Sequence, residues 1–250
     1  MGEVITPLLA TAGIAGTLLV IAAALLGGVA QGTVGFGAAF ATVPALAVTV
    51  PELLPGAMLV ASLPLSTSMA ILERENLDGP AAMRLMLGRL PGIAIGTLVV
   101  LWADVRLLTA LIATVLLFAV AAAGAGWHLE VTGRREVIAG VLSGITGTAA
   151  ALAGPPVAVL YRDKDPAVMR PTLGLVWAIG IVVTIASLAA AGEFTVAQAA
   201  VGLPLGAVVL AGLGLGRIVI ARVSAARIRA GILWWAGVGG FAALVRVALG

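Results

Sequence analysis

The chain is predicted to be an all-α integral membrane protein. It reads as an inverted repeat with two re-entrant, glycine-broken helical hairpins and about seven full transmembrane helices. Three observations carry that expectation. The 250 residues are 62% hydrophobic and 10% charged, with mean hydropathy +1.20, whereas a soluble globular chain carries about 25% charged residues. Apolar stretches of spanning length recur along the sequence. A glycine-broken segment occurs twice, about half a chain apart.

The spanning stretches run over roughly 6–27, 55–73, 83–103, 106–127, 168–191, 197–220 and 227–248. Each is close to the ~20 residues that cross a ~30 Å hydrocarbon core. Helix-start signals precede most of them: Pro55, Asp78 with Pro80, Asp104, Asp165 with Pro166, Thr195 and Ser224. The first stretch continues without a small-residue cleavage site, so no cleavable signal is expected.

Two segments remain, 28–50 and 137–161. The first contains Gly28-Val-Ala-Gln-Gly-Thr-Val-Gly-Phe-Gly-Ala-Ala-Phe-Ala-Thr-Val-Pro44, and the second runs from Gly140 to Pro156. A shift of 112 residues superposes Gly28 on Gly140, Gly32 on Gly144, Gly35 on Gly147 and Pro44 on Pro156. Matched interrupted helices in two halves of a membrane protein point to a transporter's binding site.

Charge decides how the second segment sits. If it turns back and the loop around Arg74 is cytoplasmic, 12 of the 14 basic residues lie inside. These are Arg74, Arg84, Arg89, Arg134, Arg135, Arg162, Lys164, Arg170, Arg217, Arg222, Arg227 and Arg229. Only Arg106 and Arg246 fall outside. A full crossing would leave 6 inside and 8 outside, so the positive-inside rule favours a hairpin. Two legs of ~11 residues each reach about 16 Å, roughly the midplane. Hairpin 28–50 then enters from outside and hairpin 137–161 from the cytoplasm, which places the N-terminus inside. The expected organisation is a single transmembrane domain over 1–250, multi-pass in the plasma (inner) membrane. Repeat 1 covers about 6–103, repeat 2 about 106–220, and 227–248 is an extra C-terminal helix. Leu90-Pro91 in one half answers Leu203-Pro204 in the other.

The second legs are expected to start near Phe36–Ala39 and Thr148–Ala151. Helix N-termini present free N–H groups and a positive dipole end, an anion site that needs no lysine or arginine. The candidate substrate-binding residues are Gln31, Gly32, Thr33, Gly35, Phe36, Gly37 and Ala38 at the first break. At the second they are Ser143, Gly144, Thr146, Gly147, Thr148 and Ala149. Pro44, Pro155 and Pro156 shape the hairpins. Close helix packing is the competing use of such glycines, and it is the expected one for Gly212, Gly214, Gly216, Gly237, Gly239 and Gly240. The run Ser66-Thr67-Ser68 is expected to bond back to its own helix. Trp102, Trp127, Trp234 and Trp235 are expected at the interfaces, with Trp177 deeper and His128 in a solvated loop.

Several chemistries are excluded or unsupported. Zero cysteines rule out disulfides and thiolate metal sites. No acid stands at the centre of a span to mark a proton relay. There is no phosphate-binding Gly-Lys loop, and no set of residues suits intramembrane catalysis. No catalytic residue, metal or cofactor is implied. The net charge of +3 reflects membrane orientation, so nucleic acid is not an expected partner.

Gly28, Gly32, Gly35, Gly37 and Val43-Pro44, with Gly140, Gly144, Gly147 and Pro155-Pro156, resemble the TauE/SafE sulfite-exporter family, the toluene-sulfonate uptake permeases. That family carries two copies of a pattern close to Gly-x-x-x-Gly-x-x-Gly-x-Gly-Gly-Gly, then an apolar run and Val-Pro. Here Ala38 and Ala39 replace two glycines of the triplet, and the second copy has Thr148, Ala149, Ala150 and Ala151 in that region. The resemblance implies transport of small sulfur-containing anions such as sulfite, sulfoacetate or other organosulfonates. The leading expectation is therefore a secondary transporter working by alternating access, not an enzyme. The alternative is a non-catalytic membrane subunit or scaffold of a multicomponent transport system. Expected partners are the small anion and the lipid bilayer, and the Gly-rich and Ala-rich faces are compatible with a homodimer.

Overall fold

The computed structural model describes residues 2–34, 36–125, 129–219 and 223–249. Among them are ten α-helices and no strand: α1 (Gly2–Val34), α2 (Ala38–Thr49), α3 (Gly56–Leu72), α4 (Gly79–Trp102), α5 (Val105–Gly124), α6 (Gly133–Ala150), α7 (Gly154–Leu160), α8 (Pro166–Ala190), α9 (Val196–Val219) and α10 (Ala225–Leu249). Six of these are long and apolar enough to cross a membrane, and α3 is a shorter apolar helix.

The helix starts follow the expected signals. Asp78, Asp104 and Asp165 each accept a backbone N–H of the first turn of α4, α5 and α8. Thr195 and Gln198 form a reciprocal capping box at α9, Gln198 N donating to Thr195 Oγ1 and Thr195 N to Gln198 Oε1. Pro64, Pro91 and Pro204 lie inside α3, α4 and α9.

The N-terminal part divides differently from the expected span 6–27 followed by a hairpin 28–50. Helix α1 passes through Gly28 without a turn and ends at Val34. Its irregularity is at Gly13, with φ 67°. Helix α2 then runs back along it: a Cβ on Gly37 would meet Ala30, one on Gly27 would meet Ala38 and Ala41, and one on Gly16 would meet Thr49. The physical reason lies in where Gly28 and Gly32 face. A Cβ on Gly28 would lie 2.9 Å from Gly212 Cα, and one on Gly32 would lie 2.8 Å from the Leu213 carbonyl. Both glycines let α9 approach in parallel, and neither bends the chain.

The second copy follows the same logic. On α6, a Cβ on Gly144 would lie 2.8 Å from Gly92, and one on Gly140 would lie 3.1 Å from Arg89 N. Gly140 and Gly144 thus seat α6 against α4. Helix α7 returns beside α6, which brings the Tyr161 hydroxyl to the first turn of α6, 2.6 Å from Glu136. The pairing exchanges between halves: α1 packs on α9 as α6 packs on α4, α3 on α9 as α8 on α4, and α2 on α1 as α7 on α6.

The core is mostly aliphatic, with Leu46, Met58, Leu85, Ile112, Leu116 and Leu152 fully buried. The outer faces of the long helices expose Leu18, Leu98, Leu203 and Phe241, as expected where lipid is the solvent. Trp102 and Trp234 are exposed. Trp235 is not an outward anchor, because its indole N–H donates to the Ala41 carbonyl at 2.9 Å and fixes α10 on α2. Trp127 and His128 lie outside the described residues.

Candidate functional site

Each copy of the motif contains a break between two helices. In the first, Gly37 precedes α2 with φ 145°. That left-handed value, and an Ala30 Cβ only 2.7 Å from where a side chain would start, both require glycine. In the second, α6 ends at Ala150, Ala151 takes a left-handed φ of 54°, and Leu152 N closes onto the Thr146 carbonyl at 3.1 Å. An alanine held there costs roughly 1–2 kcal/mol. Helix α7 starts at Gly154, beyond the expected Thr148–Ala151, because α6 keeps its helical bonds through that run.

A cavity of about 60 Å³ lies between the two breaks. One water needs roughly 10–15 Å³ on this measure, so the space suits a small oxyanion. Gln31, Phe36, Gly37 and Ala38 line it from the first break, and Gly147, Ala151, Leu152 and Ala153 from the second. Ser62 and Ser66 contribute from α3, Trp177 from α8, and Arg89 from α4. Among the described residues no carboxylate lines it.

Arg89 is the decisive side chain. It is the eleventh of the 24 residues of α4, half way along a candidate membrane span, and is 1% exposed. Among the described residues no carboxylate pairs with it. Its Nη1 donates to Ser143 Oγ at 2.8 Å and to the Ser143 carbonyl at 3.3 Å, while its Nε is buried with no protein acceptor. Ser143 Oγ in turn donates to the Ala153 carbonyl at 2.8 Å, so the guanidinium is keyed to the second break. Gly180 on α8 makes room for it, since a Cβ there would overlap Nε. The indole Nε1 of Trp177 is a second buried donor without a protein acceptor. A cation in a membrane interior costs at least about 2.5–3.5 kcal/mol, and each orphaned donor about 1–3 kcal/mol. Arg89 and Trp177 both line the cavity, and each keeps one buried donor without a protein acceptor, with no acid among the described residues of the lining.

The other candidates divide between lining and support. Gln31 spans the first break: the Ala38 N–H donates to its Oε1 at 3.2 Å, and its Nε2 approaches the Met69 sulfur at 3.3 Å. The first N–H of α2 is therefore already taken by protein. Thr33 bonds back to the Ala30 carbonyl. Thr146 Oγ1 stands 2.7 Å from the Leu152 carbonyl across the second break. Thr148 is fully buried and meets Thr184 at 3.4 Å, and Ala149 packs in the core. Gly35 lies outside the described residues. Pro44 sits inside α2 against Gly239, and Pro155 and Pro156 stand at the start of α7. As expected, Thr67 and Ser68 bond back to Leu63 and Pro64.

Arg89 was missed as a site residue because it was counted among the cytoplasmic charges. The signal was present, since residue 89 falls inside the expected span 83–103. Glu136 was passed over likewise: it is 1% exposed, paired with Arg84 and hydrogen-bonded by Tyr161. Burial and that carboxylate raise the Tyr161 phenol well above its usual range, so it stays a donor. This triad fastens the base of the α6–α7 segment.

The family model described as sulfite exporter TauE/SafE matches residues 20–243. The chain belongs to the TauE/SafE family. The match takes in both helix breaks, α3 to α9 and most of α10. No curated protein and no solved structure matches the chain significantly. Membership of TauE/SafE together with the six apolar helices makes this a multi-pass membrane protein of an anion-exporter type.

Proposed function

We propose that this chain is a secondary transporter of a small sulfur-containing oxyanion, sulfite, sulfoacetate or another organosulfonate. The anion is held by Arg89 and Trp177 in the cavity between the two helix breaks. The observation that carries this reading is the Arg89 guanidinium: fully buried at mid-span, paired with no carboxylate among the described residues, its Nε without a protein acceptor, on a residue that lines the same cavity as Trp177, whose Nε1 likewise has none. A planar guanidinium with an indole donor suits the separated oxygens of a sulfite or sulfonate group. The family description points to the same class of substrate.

The architecture supports alternating access. Helices α1 and α6 each lead to a break and a returning short helix, and each packs in parallel on a glycine-faced partner from the other half. We read these as inverted repeats of five helices, α1–α5 and α6–α10, in which α10 corresponds to α5. With both broken segments re-entrant, the start of α1 lies at the same end as Thr49 and the start of α9. That end carries Arg106 and Arg246, so the positive-inside rule favours a non-cytoplasmic start of α1, the reverse of the cytoplasmic N-terminus expected from a span at 6–27. Rocking the two halves about the breaks would expose Arg89 to each side in turn.

The test is flux through the purified chain reconstituted alone in liposomes, using sulfite and sulfoacetate. Saturable, counter-substrate-stimulated flux is expected. Specific binding without flux would move the chain to the alternative role of a subunit in a multicomponent system.

A further inference from the structure

We infer a second anion site, in series with the central cavity and formed by Arg162 and Arg229; the inference rests on the transporter reading above. A separate cavity of about 30 Å³ lies among α2, α5, α7 and α10, and Phe36 and Phe40 line both it and the central one. The two aromatic rings, with centroids 6.0 Å apart, are thus the partition between two spaces. On the far side of that partition the polar lining is two arginines, one following α7 and one in the first turns of α10, and the rest of the wall is apolar. Among the described residues no carboxylate lines this space. The Arg229 guanidinium stands 5.5 Å from the centre of the Phe36 ring, a cation–π contact that ties the vestibule to the partition.

Two like charges at the mouth of a low-dielectric passage focus the field outward and raise the local concentration of anions. Placed one wall away from Arg89, they form a capture station for the same substrate class, an anionic sulfonate or oxyanion. The passage opens at the end of the molecule where α7 finishes and α10 begins, which is also the end that carries Arg74, Arg134 and Arg135. An anion leaving or entering there meets Arg162 and Arg229 first and then passes the Phe36 ring to reach Arg89. The pairing of two stations also lets the charge on one anion help displace the other.

The probe is sulfoacetate, added to the full chain in lipid nanodiscs. Calorimetry counts bound anions, and Trp177 fluorescence, identified as the signal lost in W177F, reports the central site. Wild type is expected to bind two anions per chain, one of them linked to Trp177. Arg162→Gln with Arg229→Gln should lose the silent event and slow the Trp177-linked association at least about tenfold, and the double lysine variant should restore the rate. Single Arg162→Gln, at an exposed side chain, should slow it in the same direction without disturbing α10. Arg89→Gln should do the reverse, removing the Trp177-linked event and keeping the silent one. Wild-type stoichiometry and rate in both vestibule variants would overturn the second site and leave the central one standing. A wild type that binds one Trp177-linked anion and no silent one would overturn the second site alone, and absence of binding by sulfite and sulfoacetate alike would overturn both.

Discussion

Arg89 Nη1 donates to Ser143 Oγ at 2.8 Å, and the same hydroxyl donates to the Ala153 carbonyl at 2.8 Å. One serine thus couples the intramembrane cation on α4 to the break between α6 and α7, so movement of that break must move the charge. Ser143→Ala removes the coupling and leaves the guanidinium one acceptor short. A hydrogen bond to a charged group contributes about 1.5–3 kcal/mol, so sulfonate affinity should fall roughly ten- to a hundredfold, measured by calorimetric titration. Unchanged affinity would mean that Ser143 plays no part in holding Arg89.

Gly180 separates the two uses of glycine. A side chain there would overlap Arg89 Nε, whereas one on Gly88 would overlap the Val137 carbonyl on α6. Gly180→Ala should therefore weaken anion binding at least about tenfold by turning the guanidinium aside. Gly88→Ala should instead lower thermal stability, by about 1–3 kcal/mol for forcing two packed helices apart. Thermal unfolding and ligand titration of the pair would show whether the effects separate in this way.

Ala151 holds a left-handed conformation at the tip of the second break. Glycine adopts it without the Cβ penalty, so Ala151→Gly should raise stability by about 1 kcal/mol. The check is the unfolding midpoint in matched detergent; a lowered midpoint would show that the Ala151 methyl packs better than its backbone is strained.

Tyr161 closes the base of the α6–α7 segment onto Glu136. Tyr161→Phe leaves the buried carboxylate with Arg84 and without its phenolic donor, and should cost about 1.5–3 kcal/mol. The loss should appear as faster hydrogen exchange in residues 154–165 rather than as a change in substrate preference.

Much of the fold was legible in the sequence, because lipid makes hydropathy and caps unusually informative. Asp78, Asp104, Asp165, Thr195 and Ser224 each stand directly before a helix. The paired breaks were legible too, through the matched spacing of two glycine motifs. What the pattern did not reveal was the task of each glycine. Gly28 and Gly32 on α1, like Gly140 and Gly144 on α6, are spaced by four along a helix face, which serves close packing, while Gly37 and the Ala151 position make the turns. That confusion put a boundary between span and hairpin at Gly28, through which α1 runs straight, while α2 starts at Ala38, inside the expected Phe36–Ala39. The cation proposed to bind the anion was hidden for a different reason. Arginine near an apolar stretch has two meanings, orientation and function, and the burial of Arg89 among α4, α6 and α8, which supports the second, is not written in the sequence pattern. Trp177, read as deeper than the other indoles, does line the cavity.

The measurement that bears most directly on the central claim is calorimetric titration of the purified full chain and its Arg89→Gln variant with sulfite, sulfoacetate, taurine, sulfate and small carboxylates. Wild type should bind at least one sulfur oxyanion saturably at the central site, and the variant, equally folded by thermal unfolding, should bind it there at least about a hundredfold more weakly, as loss of a charge-assisted pair requires. Equal affinity of the central site in the two proteins would contradict the account.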